Sequence, residues 1–262
     1  MLVKSFLTAV QYFTRIPVPA WVGHSPEQLR RAARYFPAVG IVVGLCGAGV
    51  VHVAALVFPA PLPVLLSVVA TIWMTGAFHE DGVADTFDGL GGGATRERAL
   101  AIMKDSRLGT YGTIALVLTL LLKIAALNAM PTALACAALI GAHPFSRWLA
   151  LTLVHRLAYV SDADQSRAKP LVEHMSSGEL CFAAIFGLAP LTICTGWIAR
   201  QSPVAAAIWI GAGAFVALGV LVFLARWFVR RIGGYTGDTL GATQQLTEVA
   251  CYLGFLAACK SF

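Results

Sequence analysis

Charge is what this chain has least of: of 262 residues only 12% are Asp, Glu, Lys or Arg, against 58% that are hydrophobic. A soluble domain carries about a quarter charged residues, so an ordinary soluble enzyme is excluded. Disorder is excluded too, because an unfolded chain would leave this much apolar surface wet. Cysteine is sparse and unpatterned. Cys46, Cys136, Cys181, Cys194, Cys251 and Cys259 lie scattered in apolar stretches and read as small packing residues, not disulfides or metal ligands. Walker A spacing is missing, so no ATPase is implied. No aromatic-basic interleaving accompanies the net charge of +6, and no nucleic acid is expected as a partner. The start does not read as a cleaved signal: Arg15 and Pro17 follow a short apolar run without a small-residue cleavage pattern.

What the chain has is long apolar runs and a mean hydropathy of +0.76. A span needs about 20 apolar residues. The runs at 36–57, 62–79, 111–130, 132–154, 180–199, 204–225 and 245–260 predict an all-α, polytopic membrane bundle of about seven spans, one domain over 1–262. Leu2 to Pro19 reads as an interfacial or re-entrant helix with Lys4 and Arg15 near its ends. Gly40, Gly44 and Gly47 form a small-residue face suited to close helix packing.

Fifteen of the 19 Lys and Arg residues fall in the N-terminal segment or in alternate long linkers. Arg167 and Lys169 belong to this set, while Arg200 and Lys260 fall on the other side. The positive-inside rule then places the N-terminus and all long loops in the cytoplasm.

Six of the 13 acidic residues lie between positions 80 and 105. Asp81, Asp85 and Asp88 are spaced i, i+4, i+7, which on a helix projects three carboxylates from one face. Glu80 sits about 100° away as a flanking ligand. Such a stripe repels itself, and a hard divalent cation, Mg²⁺ above all, relieves the repulsion while bridging to substrate phosphates. His79 adjoins the stripe as a candidate acid or base. Arg96, Lys104, Ser106, Arg107 and Thr110 follow, cations and hydroxyls suited to clamping a diphosphate.

Gly233 to Ala242 is a third polar constellation, with Asp238 as a further metal candidate and Thr236 and Thr239 as phosphate contacts. Lys123, Arg147 and Glu248 fall inside apolar runs, where charge invites pairing or a role; Arg147 is a candidate phosphate contact. Arg15, in the aromatic-rich opening segment Phe13–Pro19, is a candidate substrate contact.

These motifs together resemble the cobalamin synthase family, the adenosylcobinamide-GDP ribazoletransferases. The resemblance runs nearly end to end. It is carried by Phe13-Thr14-Arg15-Ile16-Pro17-Val18-Pro19, by Phe36-Pro37 with Gly40 and Gly44, and by His79-Glu80-Asp81-Gly82 through Asp88-Gly89. Ile102 through Thr110 and Gly237-Asp238-Thr239-Leu240-Gly241-Ala242 complete it, and the loop at 155–178 is the least family-like stretch. The resemblance implies a Mg²⁺-dependent enzyme of the bacterial inner membrane that joins adenosylcobinamide-GDP to α-ribazole or α-ribazole 5′-phosphate and releases GMP. On that reading Asp81, Asp85 and Asp88 hold the metal, Lys104 and Arg107 stabilise phosphate oxygens, and Asp88 takes the proton. Membrane lipid surrounds the enzyme, and a homo-oligomer is left open. A lipid-directed CDP-alcohol phosphotransferase is the alternative of the same class, although its longer motif is not reproduced. A secondary transporter is the alternative of another class, but it would carry its charges at the bilayer midplane between repeated halves.

Overall fold

The computed structural model describes residues 2–23, 25–160 and 175–259, all helices and connections apart from one isolated β-bridge. Arg167, Lys169 and Lys260 lie outside the described residues. Eleven α-helices of seven residues or more follow one another among the described residues. They are α1 (Leu2–Phe13), α2 (Pro26–Ala32), α3 (Phe36–Ala54), α4 (Leu62–Thr75), α5 (Phe78–Gly92) and α6 (Arg96–Met103). Then come α7 (Thr110–Asn128), α8 (Thr132–Arg156), α9 (Ser177–Ala199), α10 (Pro203–Ile232) and α11 (Gly237–Ala258).

Five stretches are long and apolar enough to cross a membrane: Glu27–Ala54, α7, α8, α9 and α10. Their outward faces carry large apolar side chains such as Leu121 on α7, Ile193 on α9 and Phe215 on α10, a surface that lipid, not water, accommodates. The chain is therefore a multi-pass membrane protein.

Two of the seven expected spans come out differently. The run 62–79 is not one helix: α4 ends at Thr75, and α5 leaves it at 87°. Gly76 and Ala77 are both left-handed, with φ of 67° and 60°. The Gly76 and Ala77 N–H groups return to the Ile72 carbonyl, a helix C-cap that stops α4. Together α4 and α5 reach span length, and the bend turns α5 and its acidic stripe off the line of α4. The last expected span, 245–260, is the C-terminal part of α11. That helix has 22 residues, about 33 Å, long enough to cross but not apolar enough to rank with the five. Its Gln244, Gln245 and Glu248 are buried against protein.

The core is built around α8 and α11. Glycines let α3 lie against α8: a methyl at Gly40 would stand 2.7 Å from Pro144 Cα, and one at Gly44 would stand 2.7 Å from the Leu139 carbonyl oxygen. The small-residue face read from the sequence is this contact. At the N-terminus α1 turns Val10 and Phe13 inward, and Phe13 stacks on Phe36 at 4.3 Å. The chain leaving α8 pairs with the chain entering α11, Val160 N–H to Tyr235 O and Tyr235 N–H to Ala158 O, which fixes where α11 starts.

Candidate active site

Three carboxylates from two helices come together here. Asp81 and Asp85 stand one turn apart on α5, and Asp238 stands in the first turn of α11. The helices approach closely because Gly82 has no side chain: a methyl there would lie 2.7 Å from the Asp238 carbonyl oxygen and 3.1 Å from Gly241 Cα. Asp238 is held from below by a reciprocal cap. Thr236 Oγ1 accepts from Thr239 N–H at 3.2 Å, and Thr239 Oγ1 accepts from Thr236 N–H at 2.8 Å. Thr236 and Thr239 are thus buried and occupied in starting α11, not disposed as the phosphate contacts expected.

The carboxylates press on one another. Burial, then Asp81, Asp238 and Asp88, pushes Asp85 up to about 7. Burial and then Asp81 pushes Asp238 up to about 6. Among the described residues, the charges that raise these two are those of Asp81, Asp88 and Asp238. Hard oxygen donors with uncompensated charge fit a divalent cation. They are not drawn into a closed protein cage: among the described residues no group of three or more His, Cys, Asp or Glu side chains stands in metal-holding geometry.

Asp88 plays a different part from the one its spacing suggested. Its Oδ2 accepts from Gly109 N–H at 2.7 Å and its Oδ1 from Gly112 N–H at 2.8 Å, so both oxygens cap the start of α7. A methyl at Gly109 or Gly112 would collide with that carboxylate, which is why both positions are glycine. Asp88 is a clamp between α5 and α7.

His79 and Glu80 also depart from expectation. Both are buried, on the side of α5 away from Asp81 and Asp85. Position 79 lies two residues before Asp81, about 200° round the helix, so it turns inward when Asp81 turns outward. Glu80 accepts from Gln245 Nε2 at 2.9 Å and lines a polar chamber with His79, Lys123, His143 and Arg147. Neither is placed as a metal ligand or as an acid at the aspartates.

That chamber also claims Arg147, which is 1% exposed. Its Nη1 donates to the His143 carbonyl at 2.9 Å, stands 3.9 Å from Glu248, and its guanidinium lies 5.4 Å from the Phe36 ring centroid. It is a buried structural cation and not a phosphate contact. Lys123 pairs with Glu248 at 2.9 Å and donates to Gln245 at 2.6 Å, while His143 meets Glu248 at 2.8 Å. The partners Gln244, Gln245 and Tyr252 escaped the sequence reading. The i, i+4, i+8 polar stripe Gln244, Glu248, Tyr252 was the signal, since Gln244 and Tyr252 both donate to Glu248.

The basic segment is exposed. Arg107 is 88% exposed and pairs with Asp105 at 2.6 Å, holding the Asp105 carboxyl down to about 2. Lys104, Ser106 and Thr110 are exposed beside it, and Arg96 lies next to Gly233. The structure therefore does not bring the expected phosphate clamp onto the carboxylates; it tethers the segment at one end, through Gly109 to Asp88. Arg15 sits elsewhere, with its guanidinium over Gly76 at the α4–α5 bend and its backbone N–H donating to the Met74 carbonyl at 2.7 Å.

Comparison with known proteins now decides the family. A family model described as cobalamin-5-phosphate synthase matches residues 5–256. The chain belongs to that family. An adenosylcobinamide-GDP ribazoletransferase of Leptothrix cholodnii is 48% identical over 97% of this chain and 95% of its own length. Those of Shewanella amazonensis and Shewanella frigidimarina are 44% and 43% identical, each over 96% of this chain and 94% of their own. No solved structure matches. Membership makes the chain a transferase of cobalamin biosynthesis, as its sequence motifs implied.

Proposed function

We propose that this chain transfers the adenosylcobinamide phosphoryl group from adenosylcobinamide-GDP to α-ribazole or α-ribazole 5′-phosphate, with Mg²⁺, and releases GMP. The observation that carries the reading is the mutual repulsion of Asp81, Asp85 and Asp238, carboxylates of two helices that raise one another among the described residues. The names of the relatives supply the substrates. The charge pattern of the loops supports a site on the cytoplasmic face of a bacterial inner membrane.

Asp81 and Asp238 would hold the ion, which supplies neutralisation of the diphosphate and of the departing GMP when bound. Asp85, one turn from Asp81 on α5, would take the proton from the ribose hydroxyl. The hydroxyl oxygen then bonds to the phosphorus bearing adenosylcobinamide. The bond from that phosphorus to the bridging oxygen breaks, and its electron pair leaves with GMP. Lys104 and Arg107 are the cations nearest in sequence to the clamp at Gly109, and closure of their segment over the phosphates would release Arg107 from Asp105.

The test is a defined assay of purified protein with adenosylcobinamide-GDP and α-ribazole. GMP release that requires both substrates and stops with EDTA is expected. Release of CMP from a CDP-alcohol lipid, with no GMP from the cobinamide donor, would overturn the assignment.

A further inference from the structure

Glu80 precedes Asp81 on α5, is 6% exposed, and takes no part in the chemistry above. Burying a carboxylate is costly, and this one is only partly compensated. Its Oε1 accepts from Gln245 Nε2 at 2.9 Å, while Oε2 has no hydrogen-bond partner among the described residues. A buried polar contact adds little to stability over an apolar one of the same shape, but it is satisfied in one geometry only. What this contact fixes is the orientation of α5.

Gln245 lies on the face of α11 that carries the site: Asp238, Gly241, Gln245 and Glu248 are spaced i, i+3, i+7, i+10. Lys123 of α7 donates to Gln245 Oε1 at 2.6 Å, which leaves the amide nitrogen for Glu80. The bond reaches α5 close to where Gly82 meets Asp238 and Gly241. That crossing brings two glycines together, and glycines have no side chains to interlock, so it sets how near the helices lie but does little to stop α5 rolling. At the other end of the stripe Asp88 ties α5 to α7. Asp81 and Asp85 stand between the two ties. A carboxylate on a helix surface is about 6 Å from the axis, so a roll of about 20° carries it about 2 Å. A site of this kind tolerates about 0.5 Å.

We infer that Glu80 is a positioning residue: its bond to Gln245 fixes the rotation of α5 and so aims Asp81, and Asp85 one turn on, toward Asp238. The inference rests on the cation reading of Asp81 and Asp238. It adds the reason a fourth carboxylate stands in the stripe without touching the ion.

Mn²⁺ affinity of the purified full chain with adenosylcobinamide-GDP, read beside its thermal transition in detergent, tests this. Glu80→Gln keeps an oxygen for Gln245 and is expected to bind Mn²⁺ within twofold of the wild type. Glu80→Met keeps the shape and removes the acceptor. Its Mn²⁺ affinity and kcat/KM are expected to fall at least tenfold, with the transition within a few degrees of the wild type. Gln245→Met breaks the same bond from α11 and keeps the test available if Glu80→Met does not fold. Combining the two should weaken Mn²⁺ no further than the worse single variant. Wild-type affinity in the folded Met variants, whatever their stability, or an equal loss in Glu80→Gln, would overturn the inference. If the wild type binds no Mn²⁺, the cation reading fails by itself. Positioning is then judged by oxidative cross-linking of the Asp81→Cys/Asp238→Cys pair: adding Glu80→Met should slow it at least fivefold, and an unchanged rate removes the tie.

Discussion

Gly82 on α5 faces Gly241 on α11 where the two helices cross, and the pair sets the distance between Asp238 and the α5 aspartates. The two glycines are not equivalent. A methyl on Gly82 would meet the Asp238 carbonyl oxygen at 2.7 Å, whereas one on Gly241 finds nothing nearer than 3.4 Å. Gly82→Ala is therefore expected to lower kcat/KM at least tenfold by pushing α11 outward, and Gly241→Ala to change it less than threefold. Parallel assays of GMP release, with size-exclusion profiles to show that both proteins fold, check this.

Asp88 is expected to behave as a clamp. Asp88→Ala removes the acceptor of two backbone N–H groups, at about 1–3 kcal/mol for each one left buried. Its thermal transition in detergent should fall by several degrees. Asp85→Asn should leave the transition unchanged or higher and abolish turnover. A loss of turnover at unchanged stability in Asp88→Ala would return that residue to the chemistry.

The contrast between Asp85 and Asp88 also shows how far the sequence could be read. The i, i+4, i+7 spacing gave the helix and the shared face, because periodicity is a local property. Which carboxylate meets which partner depended on Gly109 and Gly112, more than twenty residues away, and no spacing rule reports that. The break after Thr75 had half a signal. Gly76 is a usual helix stop, but Ala77 adopts a left-handed backbone that its type does not favour, and only the fold imposes it. The glycine-rich setting of Asp238 marks it out, whereas nothing local distinguishes the capping box that Thr236 and Thr239 close from a pair of phosphate contacts. Arg147 and Glu248 stood out as charges in apolar runs, and their partners became visible only when α8 and α11 were side by side.

Without a cation the protein should lose stability as pH rises. Asp85 keeps its proton to about 7 in the fold but only to 3.8 at its ordinary value, so between the two the folded chain binds the extra proton. Its contribution is full below the lower value and is lost as pH rises through about 7; Asp238 adds the same trend up to about 6. Melting curves from pH 5 to 8 in EDTA should show the decline, millimolar Mg²⁺ should reverse it at pH 8, and Asp85→Asn should flatten it.

The buried network on α11 should prove structural. Lys123→Met leaves Glu248 short of its closest cation, and removal of one partner from such a pair costs about 3–5 kcal/mol. A lowered melting temperature with acceptor and donor KM values unchanged in the surviving protein is expected. Retained stability with altered KM would make the chamber part of the substrate site.

The central claim is that Asp81 and Asp238 hold a divalent cation, and Mn²⁺ titration followed by electron paramagnetic resonance tests it most directly. Wild-type protein with adenosylcobinamide-GDP should bind Mn²⁺ saturably, with affinity falling at least tenfold in Asp81→Asn and Asp238→Asn and unchanged in Glu80→Gln. Equal Mn²⁺ binding by the wild type and both aspartate variants would contradict the account.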